Sequence, residues 1–214
     1  MAEKSTEGVL SPRERRQRNR QEVVNTILQV SRDIMREQGV AALTLNEVAR
    51  RMKMRPPSLY EYFPNKMAIY DRLFQMGAEI FVQAMQDVIE RYPVADSKAM
   101  TAHINMYVQF AVDYPEFFKL LFERHVPGFV PSETSMTPMV KAVEIGAARA
   151  QQIVDASHLN ITGLQAQDVL IVIMQGLAAL HLANDPGAPV GEGRFGSLVP
   201  VVVDMLKKAW NIAD

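Results

Sequence analysis

The chain has 214 residues, 48% of them hydrophobic and 22% charged, with a formal net charge of −1 and no cysteine. This is an ordinary globular composition, long enough for one large or two small domains with a sizeable core. Without cysteine, the chain has no disulfide, thiolate nucleophile, iron–sulfur cluster or cysteine-ligated zinc site.

The near-neutral total hides an asymmetry. Residues 1–75 hold 14 Lys/Arg against 9 Asp/Glu, a net of +5, while residues 76–214 hold 9 against 15, a net of −6. Such a split points to an anionic partner for the first segment. Its sharpest cluster is PRERRQRNR, where Arg13, Arg15, Arg16, Arg18 and Arg20 stand against Glu14 alone. Taken by itself, the cluster reads equally as a solvated tail or as a nucleic-acid arm.

In chain order, the apolar spacing of Val24, Ile27, Leu28, Ile34 and Met35 predicts an amphipathic helix from about Arg20 to Gln38, stopped by Gly39. A short helix over Thr44–Met52 follows, with Thr44 and Glu47 as an expected capping box. Pro56-Pro57 opens a second short segment, in which Leu59 and Phe63 point inward together. Asn65 is the expected N-cap of a long helix that runs to about Tyr92 and is halted by Pro93. Five further helices are read at roughly Ser97–Tyr114, Pro115–Arg124, Pro138–His158, Gly163–Asn184 and Phe195–Ala213. Loops at Val126–Thr137 and Asp185–Gly193 separate the later ones. The expected fold is all-α, with about nine helices and a helix-turn-helix near the start.

The segment ALTLNEVARRMKMRPPSLYEYFPNKMAI, residues 42–69, resembles the DNA-binding domain of the tetracycline-repressor (TetR) family of bacterial transcription regulators. The resemblance rests on Thr44, Val48-Ala49, Met52, Leu59-Tyr60, Tyr62-Phe63 and Lys66 taken together. It implies a basic arm over residues 1–19 and a three-helix helix-turn-helix domain over 20–68. That domain continues into a linking helix at 66–92, and a helical regulatory and dimerisation domain covers 69–214. Two positions depart from the family pattern. Lys53 stands where glycine is common, which predicts a left-handed lysine, and Arg55-Pro56-Pro57 replaces the usual small polar start of the third helix.

The resemblance and the chemistry together nominate a DNA-contacting set. Arg55 is suited to bidentate pairing with guanine O6 and N7, or alternatively to a phosphate. Pro56, Pro57 and Ser58 would meet thymine methyls and offer one hydroxyl. Thr44, Tyr60, Tyr62 and Lys66 sit where the family grips the backbone, with packing as the alternative for the two tyrosines. Asn46 lies on the outer helix face, and Arg13, Arg15, Arg16 and Arg18 could fold on DNA or enter its minor groove.

For the C-terminal part the resemblance implies a homodimer and a pocket for a small apolar ligand. Dimer candidates are Val169, Val172, Ile173, Leu177, Leu180, Leu198, Val202, Leu206 and Trp210, with a monomer's core as the alternative. Pocket candidates are Phe81, Met85, Met100, His103, Met106, Tyr107, Phe110, Phe118, Phe122, Met174 and His181, with plain core packing as the alternative for each.

No metal, cofactor or catalytic group is expected. His103, His125, His158 and His181 lack metalloprotease spacing, and no phosphate-cradling glycine loop occurs. The N-terminus shows no apolar signal segment. The longest uncharged run, the 16 residues between Asp168 and Asp185, includes Gln175, His181 and Asn184. No membrane span and a cytoplasmic location are therefore expected. The function that the resemblance implies is a homodimeric repressor binding a palindromic double-stranded DNA operator and released by a small apolar ligand. An activator or ligand-independent regulator, and more remotely a helical bundle without DNA binding, are the alternatives.

Overall fold

The computed structural model describes residues 11–157 and 159–212. Among them every regular element is helical, and the chain divides into two compact units, one ending at Ile69 and the other beginning at Tyr70.

The first unit opens with helix α1, Pro12–Gln38. Ser11 is its N-cap. Its hydroxyl accepts from the Glu14 N–H at 3.3 Å, and Glu14 Oε2 accepts from the Ser11 N–H at 2.7 Å. This capping box and Pro12 in the first turn start the helix eight residues before the expected Arg20. Residues 12–19 carry no apolar periodicity, so the pattern alone misses them, although Arg, Gln and Glu are good helix formers. That part of the expected arm is helix; residues 1–10 lie outside the described residues.

Gly39 ends α1 at φ 92° and ψ 155°, a conformation that L side chains rarely adopt, and its N–H reaches the Met35 carbonyl at 3.0 Å. A single 3₁₀ turn, Val40–Ala42, leads to helix α2, Leu45–Arg51. Thr44 caps α2 by accepting from the Glu47 N–H at 3.2 Å. The expected return bond from the Glu47 carboxylate is replaced, because that group is held by Arg50 and Arg51.

Helix α2 stops in a Schellman turn. The Met54 N–H bonds back to Ala49 O at 2.9 Å and the Lys53 N–H to Arg50 O at 3.2 Å, with Lys53 left-handed at φ 54°. The one-turn helix α3, Pro56–Leu59, follows. Leu59 (0% exposed) and Phe63 (7%) anchor it to a core of Ile27, Leu28, Ile34, Leu43, Val48 and Ile69.

Helix α4, Lys66–Arg91, begins with Asn65 Oδ1 accepting from the Ala68 N–H at 3.1 Å and continues into the second unit. There α5 (Ser97–Asp113), α6 (Pro115–Phe122), α7 (Glu133–Ala156), α8 (Gly163–Asn184), α9 (Gly193–Gly196) and α10 (Val199–Trp210) follow. Helix α8 packs against α5 and α7, and α10 packs against α5.

Three expected boundaries are corrected here. Helix α7 starts at Glu133 and passes through Pro138, because Asp71 anchors its N-terminus: Asp71 Oδ1 accepts from the Ser132 N–H at 2.7 Å, and the Ser132 and Ser135 hydroxyls also donate to that carboxylate. The helix therefore begins upstream of the proline, which removes one internal bond without stopping it. The last predicted helix is two, since Ser197 and Leu198 interrupt it and Pro200 suits a first turn. Helix α6 ends at Phe122, before the left-handed Arg124. His158 and Ala213 lie outside the described residues.

Two backbone substitutions test these turns. Gly39→Ala should cost about 1–3 kcal/mol in urea unfolding from backbone strain alone, since nothing lies within 4 Å of the added Cβ. Lys53→Gly should instead raise stability, by up to ~1 kcal/mol.

Candidate nucleic-acid interface and ligand cavity

Within the first unit, the α2–turn–α3 segment presents its polar groups outward. Arg55 is the N-cap of α3, is exposed, and has no hydrogen-bond or ion-pair partner for its guanidinium among the described residues. Pro56 and Pro57 are exposed beside it, and Ser58 is half-buried. Tyr60 is 56% exposed. Tyr62 is half-buried with the Arg20 guanidinium 5.0 Å from its ring centroid, and Arg20 also donates to Glu61 O at 2.8 Å. Tyr62 is thus packed as well as near the surface. Thr44 and Asn46 are exposed at the start of α2, and Lys66 is half-buried at the start of α4. Arg13, Arg15, Arg16 and Arg18 are exposed on the first turns of α1, with Arg18 Nε 3.5 Å from Glu22.

Glu47, expected as half of a capping box, is instead the hub of a charge cluster. Its carboxylate accepts from Arg50 Nε and an Arg50 terminal nitrogen, both at 2.7 Å, and from Arg51 Nε at 2.8 Å; Arg51 donates onward to Glu37 at 2.7 Å. Hydrogen bonds from Arg50 and Arg51 push the Glu47 pKa down to about 2. Two of the cations of α2 are therefore matched by carboxylates, which leaves Arg55 as an unmatched charge at the start of α3. The signal was available as Glu followed by Arg at i+3 and i+4.

The second unit encloses a cavity of about 420 Å³. Seven of the expected pocket residues line it: Phe81, Met85, Met100, His103, Tyr107, Phe122 and Met174. The other four do not. Met106 borders a shallow surface depression with Arg91 and Asn105. Phe110 and Phe118 are buried in the aromatic core, with Phe110 5.1 Å from Phe81 and Phe118 5.4 Å from Phe122 between ring centroids. His181 is fully buried with its Nε2 3.1 Å from Ala188 O, under the α8–α9 connection.

Polar lining residues absent from the expected set are Asp96, Arg124, Arg149, Gln167 and Gln175. Arg149 donates to the carbonyls of Tyr92, Pro93 and Val94, satisfying acceptors around the end of α4. Burial lowers its pKa, with Asp96 opposing. Burial, and next the Arg149 charge, push His103 down to about 4, so its imidazole is neutral at pH 7. Burial, assisted by Glu123, raises Tyr107, whose hydroxyl donates to Gln175 Oε1 at 2.6 Å. Gln167 and Gln175 lie eight residues apart on α8, about two turns along the same wall of the cavity, and polar residues at that spacing in a largely apolar helix are the sequence signal.

The expected dimer residues fall into groups. Val169, Val172, Leu180 and Leu198 are exposed, Val172 at 72%. Ile173 and Val202 are half-buried, whereas Leu177, Leu206 and Trp210 are buried within the chain itself. Ile171, Val201 and Met205 are exposed apolar residues outside the expected set. Contrary to the sequence expectation, α8 is long and apolar enough by length and composition to cross a membrane. Within the chain it buries Gln167 and His181.

Residues 27–73 match the family model for bacterial regulatory proteins of the tetR family. The chain is 30% identical over 94 residues to the uncharacterised HTH-type transcriptional regulator YobS of Bacillus subtilis (strain 168), a match over 44% of this chain. The matched region spans 48% of that relative's length. A protein of unknown function from Rhodococcus sp. RHA1 has a similar fold, with a TM-score of 0.71 at 19% identity, over 90% of this chain and 96% of that one. FadR from Bacillus subtilis in complex with stearoyl-CoA gives a TM-score of 0.64 at 13% identity, over 85% and 96%.

The depressed His103 pKa makes stability depend on pH. A histidine at about 4 when folded, against an ordinary 6.5, binds its proton more readily unfolded, so stability falls as pH drops from 6.5 towards 4. Between pH 7 and pH 5 the loss should be about 2 kcal/mol by urea unfolding, and His103→Gln should remove it. The lowered carboxylates Glu37, Glu47 and Asp71 act in a separate window, below their ordinary values.

Proposed function

We propose, for a chain that belongs to the tetR family of bacterial regulatory proteins, that it is a sequence-specific DNA-binding regulator. In this reading it is a repressor that binds a palindromic operator as a homodimer and is released by a small apolar ligand. The carrying observation is the α2–turn–α3 segment, which lies within the family match and holds Arg55, without a hydrogen-bond or ion-pair partner among the described residues, at the exposed start of α3.

In such a domain the N-terminal residues of the second short helix meet base edges, while flanking groups hold phosphates. Arg55 supplies the bidentate fork, and the faces of Pro56 and Pro57 are suited to thymine methyls. Thr44, Asn46, Tyr60 and Lys66 surround this point in sequence as phosphate ligands, and Tyr62 contributes through its packed ring. The arginines at 13, 15, 16 and 18 add salt-dependent attraction from a preformed helix. Homodimerisation is supported by Val169, Val172 and Leu180 on α8 and Leu198, Val201 and Met205 at α10, which leave apolar area exposed. A two-fold dimer would present two α3 helices to half-sites about 34–36 Å apart.

The cavity of the second unit is the candidate ligand site. Ligand release requires occupancy to favour a DNA-incompetent state, and a shift from 99:1 to 1:99 needs ~5.5 kcal/mol of differential binding.

Selection of bound sequences from a random DNA library tests the reading as a whole. A two-fold symmetric consensus is expected, and no binding at low salt would sink the DNA role. Arg55→Ala should cost about 1–3 kcal/mol on the selected site and blur one base position, whereas Lys66→Ala should weaken selected and random DNA alike.

A further inference from the structure

Several polar groups around the cavity already have partners within the chain. Arg149 is occupied by three carbonyls and by Gln152 Oε1 at 3.0 Å. Asp96 accepts from the Ala99 N–H at 2.8 Å and lies close enough to Arg149 to favour its charge. Gln167 Nε2 donates to Val143 O at 3.2 Å, and its Oε1 has no accessible surface for a ligand to meet.

The donors left over come from three side chains. Tyr107 donates its hydroxyl to Gln175 Oε1 at 2.6 Å. Turning that amide over would leave the hydroxyl hydrogen of Tyr107, a residue only 3% exposed, without an acceptor. Oε1 therefore stays on the hydroxyl, and the Nε2 hydrogens of Gln175 have no partner among the described residues. His103 stands one turn before Tyr107 on α5, so it borders the same stretch of wall. Burial holds its imidazole neutral, yet the residue keeps accessible surface on the cavity it lines. With no hydrogen bond among the described residues, it offers one N–H in either tautomer. Arg124 lines the cavity while exposed to solvent, which puts its unpartnered guanidinium at the rim. Charge points the same way: the lining holds Arg124 and Arg149 against Asp96, an excess of one positive charge.

We propose that the ligand of this cavity is an amphipathic carboxylate, its apolar body against Phe81, Met100 and Met174, its oxygens accepting from Gln175 Nε2 and His103, and its charge balanced by Arg124. An ionised carboxylate only accepts, so it suits a set of unused donors, whereas a hydroxyl brings a hydrogen of its own that these groups do not need. Taking a carboxylate out of water is costly unless it is paired and hydrogen-bonded, and these three side chains supply both. This inference rests on the reading of the cavity as the ligand site.

The test compares decanoate, methyl decanoate and decanol by calorimetry on the full chain at pH 8: an anion, a neutral carbonyl and a hydroxyl on one apolar tail. Decanoate should bind at least ~10-fold more tightly than either of the others. Gln175→Glu keeps the shape and the acceptor for Tyr107 but replaces the N–H groups by an oxygen, and it should abolish that preference. Arg124→Gly removes the guanidinium where the backbone is left-handed, at φ 50°, and so suits glycine. It should weaken decanoate by about 10-fold and leave decanol unchanged. Thermal unfolding of both variants verifies that they fold. Equal affinity of decanoate and decanol for the unaltered protein would overturn the proposal, as would a decanoate preference that survives both substitutions. Methyl decanoate binding as tightly as decanoate would overturn the anionic head group. If none of the three binds, the cavity reading falls as well; tight binding of decanol or the ester alone keeps the cavity reading and overturns the carboxylate.

Discussion

Helix α8 is apolar around nearly its whole circumference, with Leu164, Val169, Ile171, Val172, Met174, Leu177, Ala178 and Leu180 pointing in every direction. No single layer of neighbours can cover such a helix. Helices α5 and α7 cover one side, burying Ala166, Met174, Leu177 and Ala178, while Val172 stays open to solvent. Much of the second unit depends on this constraint. The covered side forms one wall of the cavity, and the uncovered side supplies exposed apolar surface of the kind that association removes from water. Three polar residues on α8 each find one partner: Gln167 Nε2 donates to the Val143 carbonyl beside the bare backbone at Gly146, Gln175 takes the Tyr107 hydroxyl, and His181 meets the Ala188 carbonyl.

The first unit is organised differently, by local backbone chemistry and paired charge. Its core is small, and the path of the chain through it is set at two places by positive φ, at Gly39 and Lys53. The Schellman turn at Lys53 orients α3 so that Leu59 is buried while Arg55, Pro56 and Pro57 remain outside. Glu47 and Glu37 tie down Arg50 and Arg51, so the charge offered at α3 is concentrated in Arg55. Such exposed pairs add little stability. Their consequence is the distribution of positive charge, which is what an anionic partner would meet first.

Helix termini were legible wherever one residue carries the stop or start signal. Gly39, Thr44, Asn65, Pro93 and Asp185 each mark a boundary through their own backbone or side-chain chemistry. The limits of α8 at Gly163 and Asn184 were readable outright. The start of α1 was not, because Arg-rich turns have no apolar period, although Ser11 and Glu14 are a capping box in plain sight. The start of α7 was hidden for another reason: its anchor, Asp71, lies 61 residues before Ser132 in the chain. For the cavity, residue type showed that aromatic and methionine side chains gather between Phe81 and Phe122. It did not separate lining from core, so Phe110, Phe118 and His181 were grouped with residues that face empty space.

The amino-acid sequence by itself determined what depends on neighbours within about one helical turn: the all-helical class, most boundaries, the left-handed Lys53 and the segregation of basic from acidic segments. Caps, proline and glycine act over that range, so their effects are written into the chain locally. The tertiary structure decided which side of each helix is covered, which cation is neutralised and which polar atom is left over. Gln167 is the clearest instance. As a letter it is one polar residue in an apolar run, and only the approach of α7 with a glycine at position 146 fixes its Nε2 and leaves its Oε1 without a partner. Packing between helices distant in sequence sets such distances, and no local signal encodes them.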